Sequence, residues 1–248
     1  MGVCRYCGVG PVTVALCSWA SPGTAPANHR LCGNANWIQG SIVVAQITLD
    51  VRAILSNPVV YSSLQRIMGG HQSRSRFVKD FVRPHAGMKV LDIGCGPADI
   101  LAYLPEVDYW GFDISDAYIQ RARALFGCRG KFQCQELVVA DIENMPSFDV
   151  VLALGLIHHL GDEEAVGIMR LAYMALKPGG RLLTVDPCLD SGQNPIARFL
   201  VSNDRGQNVR NKAAYASVAN AVFKSPRIEV RHQRWIPYTH CFMECTRK

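Results

Sequence analysis

The chain has 248 residues, 49% of them hydrophobic and 19% charged, with 26 Lys+Arg against 20 Asp+Glu and a net charge of +6. That composition is too apolar for a mainly disordered chain, and no apolar run approaches the ~18 residues of a membrane-spanning helix. A mild, scattered positive charge also argues against a nucleic-acid stripe and suits a soluble enzyme acting on a small molecule, anionic ones included.

Met1 to Leu49 contains no Asp or Glu, and only Arg5 and Arg30 carry charge. All 20 acids and 24 of the 26 basic residues follow, so the remainder carries 24 minus 20, or +4. Residues 1–49 are therefore read as an acid-free, poorly ordered extension, and residues 50–248 as one folded unit. Two sharper readings compete for the extension. Cys4, Cys7, Cys17 and Cys32 offer four thiolates to zinc, but only the first pair has C-x-x-C spacing. The apolar stretch Gly8–Ala20 after Arg5 resembles a weak targeting signal. The other cysteines are scattered, as in a reduced cytoplasmic protein. Cys241 and Cys245, four residues apart on a strand, stand about 13 Å from each other, too far to share a metal, and no metal site is expected.

Asn57-Pro58 starts a helix expected to run to about Met68 and to stop at Gly69-Gly70. A second is expected from Ser73 to Val82, before Pro84. Together residues 50–85 read as an N-terminal cap. The period then changes. Met88–Ile93 is a short apolar strand running into Gly94-Cys-Gly-Pro97, followed by a helix over Ala98–Leu104. Tyr109–Phe112 is a second strand, ending at Asp113. Ser115 caps a helix expected to turn Tyr118, Ile119, Ala122, Leu125 and Phe126 to one side, closed by Gly127.

Lys131–Leu137 is a third strand. Asp149–Gly155 is a fourth, apolar enough to be buried on both faces. Asp162–Leu176 is a helix, followed by a turn at Lys177-Pro-Gly-Gly180 and a fifth strand, Arg181–Val185. Alternation around Ile228, Val230 and His232 gives a sixth strand, and Thr239–Cys245 a seventh. Alternating strands and helices predict an α/β fold with a doubly wound, mostly parallel, seven-stranded sheet, the last two strands forming an antiparallel edge hairpin. The long connection 186–226, at the carboxyl ends of the parallel strands, reads as a lid.

The chemistry centres on Val90–Pro97. A strand ending in glycines lets a ligand approach the backbone. Asp113, 21 residues past Asp92, stands where an acid accepts hydrogen bonds from ribose hydroxyls. The dinucleotide fingerprint needs a third glycine where this chain has Asp99, whose charge would repel a pyrophosphate. The loop suits a ligand with a cationic end and no phosphate.

The runs Asp-Ile-Gly-Cys-Gly-Pro (92–97), Gly-Phe-Asp-Ile-Ser (111–115), Phe-Asp-Val-Val-Leu-Ala (148–153), Leu-Ile-His-His-Leu (156–160) and Leu-Lys-Pro-Gly-Gly-Arg-Leu (176–182) resemble successive motifs of Rossmann-like S-adenosylmethionine-dependent methyltransferases. The likeness covers about residues 75–187 and is nearest to small-molecule enzymes such as ubiquinone and menaquinone C-methyltransferases. It implies S-adenosyl-L-methionine as cofactor. Asp92, Gly94 and Gly96 then lie near its methionine part, Asp113 holds the ribose, Ile114 packs on adenine, and Leu154 lines the site from the fourth strand. An acid after the third strand contacts the adenine amino group, and both Glu136 and Asp141 qualify. Many relatives have a third glycine at the place of Ala98, a residue small enough for binding to survive.

His158 and His159 follow the fourth strand on the substrate side. Packing or lining the cofactor is the default role for at least one; the competing reading makes one a general base for an acceptor that arrives protonated. The lid carries Arg198, Arg205, Arg210 and Lys212, with Asp204 the lone acid among them. Arg205 and Arg210 fit an anionic acceptor through bidentate pairing, against the plainer reading of a solvated face with Arg205 paired to Asp204. The fourth strand ends in Leu154-Gly155-Leu156, without the Asn/Asp-Pro-Pro-aromatic run of enzymes that methylate exocyclic amines of DNA bases. The expected function is methyl transfer to a small molecule by in-line displacement. The alternatives are an RNA or tRNA methyltransferase and a non-catalytic, cofactor-binding domain.

Overall fold

The computed structural model describes residues 70–202, 208–233 and 238–248. The extension 1–49 and the cap helix expected from Asn57 lie outside those residues.

The first described element is helix α1, Gly70–Phe77, continued by a π-helical turn over Val78–Val82. Gly70, expected to stop a helix, begins one. The turn closes at Arg83, in the left-handed region at φ 51°, whose N–H donates to the Val78 carbonyl. Pro84 cannot continue a helix, so the chain leaves for the sheet.

Strands β1 (Lys89–Ile93), β2 (Asp108–Asp113), β3 (Gly130–Cys134), β4 (Phe148–Leu154) and β5 (Leu176–Leu189) form the parallel part of the sheet. Strands β7 (Arg227–Gln233) and β8 (Tyr238–Thr246) pair antiparallel, and β8 pairs antiparallel with β5. The order is β3-β2-β1-β4-β5-β8-β7, seven strands as the sequence predicts. An eighth, β6 (Arg210–Asn211), joins off this path by pairing with the end of β5.

Side chains of parallel strands alternate between faces, and both faces are covered. On β4, Val151 and Ala153 enter one core layer with Leu91, Ile93 and Phe112. Val150 and Leu152 enter the other with Val90, Tyr109 and Leu183. Helix α2 (Asp116–Phe126) buries Ile119 and Ala122 only, and Leu125, expected on the same face, is 52% exposed. Helix α3 is the short Val139–Glu143, and helix α4 is Asp162–Ala175. The lid contains helices α5 (Pro195–Ser202) and α6 (Lys212–Asn220).

Besides the helix start at Gly70 and the end of β3 at Cys134 instead of Leu137, two boundaries differ from expectation. The helix predicted over Ala98–Leu104 is a single 3₁₀ turn, Asp99–Tyr103, because Ala98 takes a left-handed conformation at φ 55°, ψ 32°. Strand β5 is far longer than Arg181–Val185. At its start, Gly179 donates to the Arg247 carbonyl and Arg247 to that of Gly180, so the chain's last residues draw the predicted turn into the sheet. At its end, Asp186 and Pro187 still pair with Cys241 and His240, and Cys188 with Arg210. The connection that can cover the site therefore starts after Leu189. Among the described residues no helix is long and apolar enough to cross a membrane.

Candidate functional site

The order places β1 beside β4, where the chain's winding reverses, and the loops after β1, β2 and β4 meet at the carboxyl ends of these strands. In the loop after β1, positive φ recurs at every second residue: Gly94 (70°), Gly96 (54°) and Ala98 (55°). The backbone donors of this loop are all spent within the protein. Gly94 and Cys95 donate to the Phe112 carbonyl at 2.8 and 3.0 Å, Gly96 to Asp113 Oδ2 at 2.8 Å, and Ala98 to the Cys95 carbonyl at 2.9 Å. Pro97 has no N–H to give. A phosphate cradle needs such amides unspent; this loop has none and is flanked by the carboxylates of Asp92, Asp99 and Asp113.

Above Gly94, a Cβ would meet the Leu156 side chain at 3.2 Å, whereas at Gly96 it would meet nothing within 4 Å. Leu156, from the loop after β4, thus covers the first glycine and leaves the second open. Asp113 ties two predicted motifs together, because its Oδ1 also accepts from Ser115 N at 2.8 Å. This side-chain cap replaces the one expected from the Ser115 hydroxyl, which makes no cap bond. Burial raises the Asp113 pKa, and the two backbone donors partly offset the rise. Ile114 beside it is 49% exposed, an apolar surface without cover. Asp99 is paired with Arg74 at 3.2 Å.

The two acids after β3 differ in environment. Asp141 is fixed: Oδ2 accepts from Val138 N at 2.9 Å and Oδ1 from Gln135 Nε2 at 3.1 Å. Glu136 has its pKa raised, by burial and then by the Glu164 carboxylate. Leu154 is the half-buried last residue of β4, before Gly155 at φ 67°.

The histidine pair sits in a 3₁₀ turn, Ile157–His159, and the two residues fare differently. His158 is buried. Asp186 Oδ1 accepts from its backbone N–H at 3.2 Å and lies 2.9 Å from its Nδ1. Asp186 is a wholly buried carboxylate inside β5. His159 is exposed, with its ring 4.0 Å from that of His158.

Of the two lid arginines, one needs correction. Arg205 lies outside the described residues. Arg210 is buried, and its guanidinium donates to Asp162 Oδ1 (3.0 and 2.7 Å) and to the carbonyls of Ile157, Asn208 and Leu160 (3.0, 3.1 and 2.8 Å). Every N–H of the group is spent, so none remains for an anionic acceptor. Arg210 instead staples the lid to the turn that carries the histidines, and Asn208 N adds a bond to the His158 carbonyl at 3.0 Å. The missed partner was Asp162, 48 residues away in sequence. Arg198 and Lys212 remain exposed. Among the described residues, no group of three or more His, Cys, Asp or Glu is arranged to hold a metal ion.

Comparison with known proteins agrees with this geometry. Residues 91–182 match a family model described as a methyltransferase domain. Among curated proteins, the chain is 33% identical over 158 residues to phosphoethanolamine N-methyltransferase 3 of Arabidopsis thaliana, covering 60% of this chain and 31% of that protein. It is 40% identical over 113 residues to the 27-O-demethylrifamycin SV methyltransferase of Amycolatopsis mediterranei, covering 41% of this chain and 39% of that one. The chain thus spans well under half the length of these relatives. Among solved structures, magnesium protoporphyrin IX methyltransferase of Synechocystis, with S-adenosylmethionine bound, superposes with a TM-score of 0.54 at 19% identity, covering 82% of this chain and all of that one (100%). The YcgJ protein of Bacillus superposes at 0.56 with 15% identity, covering 72% and 99%. At such identities the superpositions establish the fold.

Proposed function

We propose that this chain, whose residues 91–182 match a family model described as a methyltransferase domain, transfers a methyl group from S-adenosylmethionine to a small-molecule acceptor. The observation that carries the proposal is the loop after β1. Its amides are spent, it is flanked by carboxylates, and it is open above Gly96. Such a loop suits the cationic methionine end of this cofactor and repels phosphate.

The residues fit the cofactor on their own chemistry. Asp92 keeps one buried oxygen, Oδ1, without a hydrogen-bond partner. A buried acceptor left unbonded costs about 1–3 kcal/mol, which a bound donor recovers. Gly94 and Gly96 let the ligand approach the backbone. Asp113 takes the ribose hydroxyls on its remaining lone pairs, and Ile114 and Leu154 give apolar contact to the adenosine. For the adenine amino group we favour Asp141, whose carboxylate is held in place by Val138 N and Gln135 Nε2, over Glu136.

When bound, the cofactor supplies an activated methyl on a sulfonium with a good neutral leaving group. The protein must then hold the acceptor in line and exclude water, and ordered geometry of this kind is worth up to ~7–11 kcal/mol. A base is needed only for an acceptor that arrives protonated. Of the two histidines, His159 has the access to take that proton. His158, locked by Asp186, supports its ring from beneath. Exposed Arg198 and Lys212 at the two lid helices suit an anionic acceptor, and an amine carrying a phosphate, the substrate class named for the Arabidopsis relative, is the first to try.

Titration calorimetry with S-adenosylmethionine tests the core of the reading, and absence of binding would sink it. The base is tested by turnover at saturating cofactor. His159→Ala should lower kcat by about 10²-fold or more with cofactor affinity unchanged. No loss in either His159→Ala or His158→Ala removes the base from the mechanism.

A further inference from the structure

Beneath the glycine loop Asp92 is paired with a buried residue, Tyr109, that no motif includes. Val90 stands opposite Tyr109 and Asp92 opposite Gly111 in the parallel register of β1 and β2, so all four positions share one face of the sheet. A side chain at position 111 would stand between Tyr109 and Asp92. With glycine there, the Tyr109 ring lies across the gap: a Cβ on Gly111 would meet Tyr109 Cε1 at 3.1 Å and Cys95 Sγ at 2.9 Å. On its other side Tyr109 stands opposite Gly130 of β3, where a Cβ would meet Tyr109 Cδ1 at 3.1 Å. Phe132 closes the slot, with its ring 5.9 Å from that of Tyr109. At the end of the slot the Tyr109 hydroxyl donates to Asp92 Oδ2 at 2.5 Å, and both residues are buried.

We infer that Tyr109 is a positioning residue for the cofactor loop: through a slot kept open by Gly111 and Gly130, its hydroxyl holds Asp92 by one oxygen and keeps the other for the ligand. The inference rests on the proposed cofactor site and adds to it a residue that touches no ligand. Without the phenol, both oxygens of a carboxylate sealed at the base of Gly94–Gly96 would lack donors.

The surroundings of Asp92 make the effect readable as a pH dependence. Burial pushes its pKa up to about 7, the Tyr109 hydrogen bond pulls it back, and Asp113 adds a smaller rise. The Cys95 thiol faces the same space, held protonated by burial and by Asp92 and Asp113, and Asp99 lies close enough to act on Tyr109. The strand on the other side contributes only apolar Val150 and Leu152. A cationic ligand favours the ionised carboxylate, so affinity should rise with pH through about 7. Removing the phenol disfavours the ionised form and moves this rise upward.

The test is calorimetric affinity for S-adenosylmethionine between about pH 5.5 and 9 in four proteins: wild type, Tyr109→Phe, Asp92→Asn and the double variant. Tyr109→Phe should bind about tenfold more weakly at pH 7 and regain the loss at high pH. Asp92→Asn should flatten the profile, and Tyr109→Phe should then add nothing. A uniform loss at all pH values, or no loss, overturns the inference while leaving the cofactor site standing. Failure of the wild type to bind overturns the cofactor site itself. If Tyr109→Phe does not fold, 3-fluorotyrosine at 109 keeps the ring and strengthens the donor. It should move the profile to lower pH, and an unmoved profile counts against Tyr109.

Discussion

The loop after β1 and the lid after β5 both follow the carboxyl ends of parallel strands, and both looked like ligand-binding segments in the sequence. In the loop, close packing spends the backbone donors. Gly94, Cys95, Gly96 and Ala98 spend their amides on Phe112, Asp113 and Cys95, which leaves carboxylates as the groups for a ligand to meet. In the lid, the group that looked most available, Arg210, is spent on Asp162 and three carbonyls, and acts on the site only through the turn it holds. The contrast teaches that a residue type indicates what chemistry a position is capable of, whereas the count of satisfied hydrogen bonds indicates whether that chemistry is still on offer.

The contrast makes opposite forecasts for the two segments. The largest effect should come from the lid. Arg210→Met strands the carbonyls of Ile157 and Leu160, at about 1–3 kcal/mol each, and should lower stability accordingly, read from denaturant unfolding. Cofactor affinity should fall much less. An Arg210→Met protein of normal stability that fails only with an anionic acceptor would restore the substrate-binding role. Next is Asp113→Ala. It removes the acceptor for Gly96 N and Ser115 N together with the ribose contact, and should weaken cofactor binding by about 2–4 kcal/mol, a factor of thirty or more. Unchanged calorimetric affinity would show that the loop after β2 does not reach the ligand. The smallest is Ala98→Gly. Ala98 holds φ 55°, a left-handed conformation that favours glycine by about 1 kcal/mol. The substitution should raise stability by up to that amount, with cofactor affinity unchanged, as a modest rise in Tm. A fall would mean that the buried Ala98 methyl contributes more to packing than it costs in backbone strain.

Much of the fold was readable because its signals are local. Apolar runs ending in glycine place β1 and β4, and alternation places β7 and β8. The motifs at 92–97 and 111–115 lead to Asp113 and the loop, where the structure joins them by one hydrogen bond. Where the reading failed, the deciding contact was distant in sequence. The turn at Lys177–Gly180 is drawn into β5 by Arg247; the local exception is the helix expected after Pro97, which shrinks to a 3₁₀ turn behind a left-handed Ala98. The histidine pair was visible as a pair, but nothing in the sequence separates its members. The difference comes from Asp186, 28 residues on, which the β4–β5 pairing brings beneath His158.

The sequence by itself determined the order of strands and helices, the position of the glycine loop and the class of ligand that loop suits. These depend on period, backbone freedom and charge, which are written residue by residue. Only the tertiary structure decided that Arg210 is a staple, that His158 and His159 have different surroundings, and that Tyr109 reaches Asp92 across Gly111. Each of those depends on which partner occupies the last few ångströms around a polar group, and strand register and lid packing set that.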